Sequence, residues 1–193
     1  MGTTIRTFIA IELPAAVIQQ AEAIQGQLKR SGLRLRWVRA QHMHLTLRFL
    51  GEIAPERSVE AIAAMQRSVG EIRPLELYVQ GLGVFPGIRN ARVLWMGLGG
   101  QTDALAALRQ GLEDVLAEKA FVRDNKPFKG HLTLARIKET IEARRLQQAI
   151  ETCAVFTPVR FLAEEIVLFR SDLRPGGPIY TPLARVGFGG QPE

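Results

Sequence analysis

The tetrapeptide His-Leu-Thr-Leu occurs twice in this chain, as residues 44–47 and again as residues 131–134. Only three histidines are present, and two of them belong to these copies. Each copy is apolar at every second position, which is typical of a β-strand with His and Thr on one face and both leucines on the other. The two strands therefore predict a fold that brings a matched pair of imidazoles and hydroxyls into one shared site.

The elements around the two copies follow the same order. In each case a helix and a short link precede the motif strand, and another helix follows it. Helices are predicted from Pro14, from Pro55, from Thr102 or Asp103 as the cap, and over 141–150 with Thr140 as the cap. Further strands are predicted at residues 7–11, 33–38, 75–79, 91–96, 159–162, 165–169 and 179–186. This order favours two related halves that share a cleft.

Strands paired as hairpins and strands separated by helices together predict an α+β architecture. We expect residues 1–193 to form a single bilobal domain, with each pseudo-related half contributing one motif strand. The glycine-rich segment 97–100 is predicted to be a turn before a helix, and the segment 187–190 a loose tail.

The net charge of +6 and a pI near 10.1 favour an anionic partner, although a solubilising surface is the alternative explanation. The single cysteine, Cys153, excludes an internal disulfide and fits a reducing compartment. The apolar run from Phe8 to Ile11 is too short for a signal peptide or a membrane span. We therefore expect a cytoplasmic monomer without a membrane partner.

Histidine titrates near neutrality, so a pair of histidines can hold one imidazole as base and one imidazolium as acid at the same pH. This division suits an in-line displacement at phosphorus, with His44 and His131 on opposite sides of the reacting atom. Thr46 and Thr133 project from the same strand faces and can donate hydrogen bonds to phosphate oxygens, where charge develops. This scheme requires no metal and no cofactor.

The third histidine allows a different chemistry. His42 has the same strand parity as His44, so His42, His44 and His131 could form a three-histidine zinc site. That site would leave both threonines unexplained, and the position equivalent to His42 before the second motif is Lys129. We therefore favour the metal-free scheme and assign His42 a structural or peripheral role.

Basic and aromatic residues next to the motifs fit a phosphate-bearing ligand. The candidate substrate-binding residues are Arg48, Phe49, Lys129 and Arg136. Phe128 could also stack on a base, although core packing is its more ordinary role. Lys126 and Lys138 also bracket the second motif, where a solvated surface explains them equally well.

Four stretches of the chain resemble the 2H phosphoesterase superfamily, and within it the RNA 2',3'-cyclic phosphodiesterases, historically called 2'-5' RNA ligases. These stretches are residues 6–14, residues 37–51 with the first motif, residues 128–136 with the second, and residues 180–185. Gly130 is a departure, since many relatives have proline before the second histidine. The residue types at both motifs are intact.

The resemblance implies a bilobal fold in which two antiparallel sheets flank a central groove, with helices on the outside. It also implies hydrolysis of an RNA terminal 2',3'-cyclic phosphate to a 2'-phosphate. By this analogy His44 protonates the leaving 3' oxygen and His131 activates water. Arg136 and Phe49 match positions that line the groove in relatives.

Two other functions fit the same residues. The reverse reaction in the same site would join RNA ends through a 2'-5' linkage. An RNA-binding protein with a disused site is the non-enzymatic alternative, and the intact His and Thr of both motifs count against it. RNA or oligonucleotide ends are the expected partners in each case.

Overall fold

The computed structural model describes residues 3–189, which form nine strands and four α-helices. The strands are β1 (Ile5–Ile11), β2 (Arg36–Trp37), β3 (Leu45–Ile53), β4 (Leu75–Phe85), β5 (Val93–Gly100), β6 (His131–Arg136), β7 (Val159–Ala163), β8 (Glu165–Arg174) and β9 (Gly177–Gly187). The helices are α1 (Ala15–Arg30), α2 (Arg57–Val69), α3 (Thr102–Glu118) and α4 (Ala143–Cys153). No helix within the described residues is long and apolar enough to cross a membrane.

The strands form one antiparallel sheet in the order β7-β4-β5-β6-β3-β1-β8-β9, and β2 pairs with β6 beside this path. The sheet has two parts, which meet where β3 and β6 pair through Leu45 and Leu132. The α+β class and the antiparallel pairing of the strands are confirmed. The two predicted sheets are continuous at this single pair.

The two faces of the sheet carry separate apolar clusters. Along β1, Ile9 and Ile11 belong to the main core, whereas Phe8 and Ala10 belong to a smaller cluster with two residues of β8. Successive side chains of a strand point to opposite faces, so the two clusters lie on opposite sides of the sheet. The helices pack on the main core, where α1 buries its predicted stripe of Val17, Ala21, Ile24 and Leu28. The opposite face is the one that carries the functional side chains.

The turn predicted at residues 97–100 is wrong, because these residues complete β5. The glycines of this segment allow residues of β4 to pack closely against β5. A Cβ atom on Gly99 would lie 2.4 Å from the ring of Tyr78, and one on Gly97 would lie 2.8 Å from the carbonyl oxygen of Gln80. Atoms of the neighbouring strand β4 therefore occupy the space that side chains at these two positions would need. Helix α3 begins shortly afterwards, at Thr102.

The strand predicted over residues 33–38 is confirmed only at Arg36–Trp37. It is this short because its ladder with β6 comprises only Arg36 with Arg136 and Trp37 with Ala135. The helix predicted from residue 141 begins two residues later, at Ala143.

The predicted loose tail is wrong at Phe188. This residue is buried in the main core, and its backbone N–H donates a hydrogen bond to the carbonyl of Glu164 at 2.7 Å. Gly190, the last residue of that prediction, lies outside the described residues.

Candidate active site

The two motif strands meet at the junction between the halves of the sheet. Leu45 and Leu132 pair there and are fully buried in the core. One step along this antiparallel register on either side places His44 across from Thr133 and Thr46 across from His131. All four side chains are half-buried on the face opposite the leucines. The structure thus brings both histidines and both threonines to one groove.

Each motif strand contains a β-bulge at the second leucine of its motif. In the ladder with β1, Thr46 pairs with Ala10 and Arg48 with Ile9, so Leu47 is the extra residue. In the ladder with β5, Thr133 pairs with Trp95 and Ala135 with Leu94, so Leu134 is extra. A bulge places two residues opposite one, which changes the face on which later side chains lie.

Because of the bulges, the residue five positions after each histidine returns to the groove face. Phe49 pairs with Phe8 on that face and is 51% exposed. Arg136 is exposed and pairs with Val93, two β5 positions from the partner of Thr133. The structure therefore places Phe49 and Arg136 on the groove side, and their contact with substrate stays a prediction.

The substrate-binding role predicted for Arg48 is wrong. The bulge places Arg48 opposite Ile9 on the core face, where its side chain is only 8% exposed. Its Nε lies 2.8 Å from a carboxylate oxygen of Glu113 on α3. Its other nitrogens donate to the carbonyls of Phe49 and Val122. Arg48 is thus engaged by internal partners and does not face the groove.

This arginine belongs to a buried polar network that links β3 to the segment before the second motif. Glu113 accepts a hydrogen bond from the Asp124 backbone N–H at 2.8 Å, and its second carboxylate oxygen lies 3.6 Å from Arg109. Arg109 in turn donates to the carbonyl of Asp124 at 2.8 Å. The network holds the link from α3 to β6 against the first motif strand.

Both imidazoles are anchored to the backbone two residues upstream. The Nδ1 atom of His131 lies 2.7 Å from the carbonyl oxygen of Lys129, and His44 is hydrogen bonded to the backbone of His42. A carbonyl only accepts, so Nδ1 of His131 carries a proton. In the neutral ring, Nε2 is then the basic nitrogen that remains for chemistry.

Burial shifts the titration of both histidines in the same direction. It lowers the pKa of His44 to about 4, and the charge of His42 contributes to the decrease. Burial also lowers the pKa of His131, with a further decrease from the charge of Lys129. Both rings are therefore neutral at physiological pH in the free protein, and a bound anion would raise both pKa values.

Aromatic rings, which sequence reasoning missed, surround each imidazole. The His44 ring stacks on Phe8 at a centroid distance of 4.7 Å and meets the Tyr180 ring edge-on at 5.3 Å. The His131 ring meets Phe85 edge-on at 5.0 Å and lies 6.3 Å from Trp95. These rings fix the orientations of the imidazoles and supply the burial that lowers their pKa values.

Among these aromatic residues, which the sequence did not predict, Tyr180 is the one that carries an ionisable hydroxyl. Burial raises the pKa of its phenol, and the charges of Arg136 and Arg6 partly offset this effect. The same ring lies 5.3 Å from His42 and from His44. Its position in the segment 180–185 that resembles the family's closing strand was the one available signal.

Lys129 is exposed, and its ammonium lies 4.4 Å from the centre of the Trp95 ring. That ring rests on Gly83, where a Cβ atom would come within 2.3 Å of it. A cation over an indole face is attracted by the ring quadrupole. Lys129 thus sits at the groove edge beside His131, and its contact with substrate stays a prediction. Phe128 packs against the main core.

His42 lies in a single 3-10 turn, Ala40–His42, before the motif strand. Within residues 3–189, no three His, Cys, Asp or Glu side chains gather closely enough to hold a metal ion. The three histidines are not gathered as a metal site in this part of the chain, and the role of His42, whose ring lies 5.3 Å from that of Tyr180, stays a prediction.

Comparisons with known proteins agree with this geometry. Residues 11–95 and 99–180 match the family model of LigT-like phosphoesterases. The RNA 2',3'-cyclic phosphodiesterase of Thermotoga maritima is 33% identical over 185 residues, which cover 96% of each chain. The protein of the same name from Thermus thermophilus is 34% identical and covers 96% of this chain and 91% of its own.

Solved structures show the same fold. A crystal structure of a Thermus thermophilus protein has a TM-score of 0.75 at 30% identity, covering 96% of this chain and 99% of its own. E. coli LigT complexed with 3'-AMP has a TM-score of 0.76 at 26% identity, with coverage of 96% and 99%. Both similarities extend over nearly the whole length of this chain.

Proposed function

Because this chain belongs to the LigT-like phosphoesterase family, we propose that it hydrolyses the 2',3'-cyclic phosphate at an RNA end to a 2'-phosphate. The observation that carries this proposal is the convergence of both His-x-Thr pairs on one face of the sheet at the Leu45–Leu132 pair. The relatives' name supplies the substrate class, and the two imidazoles supply a chemistry for it.

The reaction needs one proton acceptor and one proton donor. Nε2 of His131 takes a proton from water as the water oxygen bonds to phosphorus. The bond from phosphorus to the 3' oxygen breaks on the opposite side, and this oxygen receives a proton from His44. The product carries a 2'-phosphate and a free 3'-hydroxyl, and solvent returns both histidines to their starting states.

The electrostatics of the groove fit this assignment when substrate is bound. Burial lowers the pKa of His44 to about 4, so the free protein rarely holds the acid in its charged form. The negative charge of a bound phosphodiester favours the imidazolium and raises that pKa. Thr46 and Thr133 donate hydrogen bonds to the non-bridging oxygens, whose charge increases in the transition state.

The decisive assay uses a short RNA with a 2',3'-cyclic phosphate end, incubated in EDTA, with separation of the 2'- and 3'-phosphate products. We expect only the 2'-phosphate, at a rate unaffected by the chelator. A product with a 3'-phosphate would reverse the assigned leaving group. Loss of activity in EDTA with recovery on zinc addition would contradict the metal-independent scheme.

A substrate with sulfur in place of the 3' bridging oxygen separates the two histidine roles. A thiolate leaves without protonation, so this substrate should restore turnover to His44→Ala but not to His131→Ala. Restoration of only His131→Ala would exchange the acid and base assignments. Incubation of the cyclic-ended RNA with a 5'-hydroxyl RNA would reveal end joining in the same site.

A further inference from the structure

Two arginines face each other on neighbouring strands at the end of the groove. Arg36 of β2 pairs directly with Arg136 of β6, and both side chains are exposed. Like charges directly opposite each other in a sheet are destabilising. Neither arginine forms a salt bridge with a carboxylate within residues 3–189. An anion that lies between or above the two guanidinium groups would remove this repulsion.

Both guanidinium groups belong to the groove side of the sheet. Directly paired residues of antiparallel strands share a face, so Arg36 lies on the face of Arg136. The flanking residues Leu35 and Trp37 pack against the main core, which leaves Arg36 on the other side. The charge of Arg136 also lowers the pKa of Tyr180, against the larger rise caused by burial, and the ring of Tyr180 contacts that of His44. The arginine pair is therefore continuous with the catalytic groove.

The ladder between β5 and β6 gives the distance from the reaction centre. His131 pairs with Gly97 and Arg136 with Val93, four residues apart along β5. At a rise of about 3.3 Å per residue, this separation is about 13 Å, and β2 lies about 4.8 Å further across the sheet. A cyclic phosphate held between the His-Thr pairs does not extend to Arg36. An RNA strand that runs along β6 from the cyclic end would bring its next phosphates to Arg36.

We propose that Arg36 binds an internal phosphodiester of the RNA, upstream of the cyclic end, and thereby makes an oligonucleotide the preferred substrate over a cyclic mononucleotide. This inference rests on the proposed function. Guanidinium groups form paired, charge-assisted hydrogen bonds with phosphate oxygens, and Arg136 supplies the adjoining positive charge.

The surroundings of Arg36 have the same sign of charge. A shallow depression of about 440 Å³ at this place is lined by Arg34, Leu35, Arg36, Trp37, Lys138 and Glu139. Three of these side chains are cationic and only Glu139 is acidic. This excess of positive charge beside Arg36 favours a polyanionic strand.

The test compares three substrates: a cyclic mononucleotide, a trinucleotide with a 2',3'-cyclic end, and the same trinucleotide with uncharged methylphosphonates at both internal linkages. Wild type should have the highest kcat/KM for the charged trinucleotide. Arg36→Ala should lower the ratio of kcat/KM for trinucleotide to mononucleotide by at least about tenfold, through KM, as expected for one lost charged hydrogen-bond partner. It should also reduce the slope of log affinity against log salt by about 0.7.

Three further comparisons make this result specific. Arg144→Ala removes an equally exposed charge from α4 and should leave the substrate ratio unchanged. The methylphosphonate trinucleotide should be processed equally by wild type and Arg36→Ala, because the contact is already absent. Arg36→Lys should recover part of the ratio, because it retains the charge without the planar fork.

An unchanged ratio in Arg36→Ala, or the same decrease with the uncharged trinucleotide, would overturn the inference. If wild type cleaves none of the cyclic substrates, the proposed function fails. Fluorescence anisotropy with labelled RNA then still decides the role of Arg36, because Arg36→Ala should weaken binding and reduce its salt dependence whether or not cleavage occurs. Equal binding by the two proteins would exclude the subsite.

Discussion

The Nε atom of Arg48 lies 2.8 Å from a carboxylate oxygen of Glu113, and both side chains are more than nine-tenths buried. Removal of Arg48 leaves the buried Glu113 carboxylate with a more distant cationic neighbour, Arg109 at 3.6 Å. Arg48→Met should therefore lower the free energy of unfolding by about 3 kcal/mol, the lower end for a broken buried ion pair, measured by urea denaturation.

Two further variants test this interpretation. Arg67→Met breaks an exposed pair with Glu118 and should cost less than about 1 kcal/mol. The double variant Arg48→Met/Glu113→Leu should lose less stability than the sum of its single variants, because no uncompensated charge remains at that pair. Additive losses would show that the pair is not coupled.

The two motif histidines should be required together. His44→Ala and His131→Ala should each lower kcat by about 10²–10⁴-fold, since each removes one proton-transfer group from the transition state. His42→Ala, which changes the peripheral histidine, should keep substantial activity. Steady-state assays with the cyclic-ended RNA, together with unfolding curves, separate catalytic loss from misfolding. Turnover close to wild type in either motif variant would refute its assignment.

The threonine hydroxyls should contribute less than the histidines. Thr46→Val and Thr133→Val keep the branched shape but remove the donor, which should cost about 1.5–3 kcal/mol of transition-state stabilisation. Thr→Ser at either position keeps the hydroxyl and should stay within a few-fold of wild type. The role would be wrong if serine and valine were equally damaging, as measured by kcat.

The pH profile of kcat/KM should be bell-shaped and displaced toward acid. Activity rises as the base loses its proton and falls as the acid loses its own. Burial lowers the pKa of His44 to about 4 and also lowers the pKa of His131 from 6.5, so both limbs should lie below pH 6.5. The profile of kcat should shift to higher pH, because bound phosphate raises both pKa values. A limb of kcat/KM above pH 7 would contradict the burial effect.

Stability should also depend on pH through His44. Its pKa is about 4 in the folded protein and 6.5 without the fold, so the unfolded chain binds more protons between these values. Stability is therefore lost as the pH falls through this window, by roughly 3 kcal/mol in total. His44→Gln should remove the His44 contribution and so reduce the slope in urea unfolding across the window, whereas His42→Gln should leave that contribution in place. An unchanged slope in His44→Gln would show that other groups cause the loss.

The faces of the two motif strands could be predicted because four residues are enough to show the alternation of a β-strand. His44 and Thr46 lie on one face and Leu45 on the other, as the pattern indicates. The family resemblance is likewise confirmed. The catalytic roles themselves stay predictions that the proposed variants address.

The prediction for Arg48 failed because a bulge leaves no mark in the alternation. Extending the parity of His44 past Leu47 assigns Arg48 to the groove, whereas the extra residue moves it to the core. Tyr180 was missed for a different reason. Its place beside His44 depends on the pairing of β9 with β8 and of β8 with β1, which joins residues far apart in the chain.

The Leu45–Leu132 pair has a mechanical consequence. β8 and β9 pair along ten residues, from Glu165 to Arg174, whereas β3 and β6 share this one pair at the reaction centre. Bending the sheet at this point disturbs the fewest backbone hydrogen bonds. The separation of the two imidazoles therefore depends on side-chain packing around Leu45 and Leu132 and not on a long ladder of backbone hydrogen bonds.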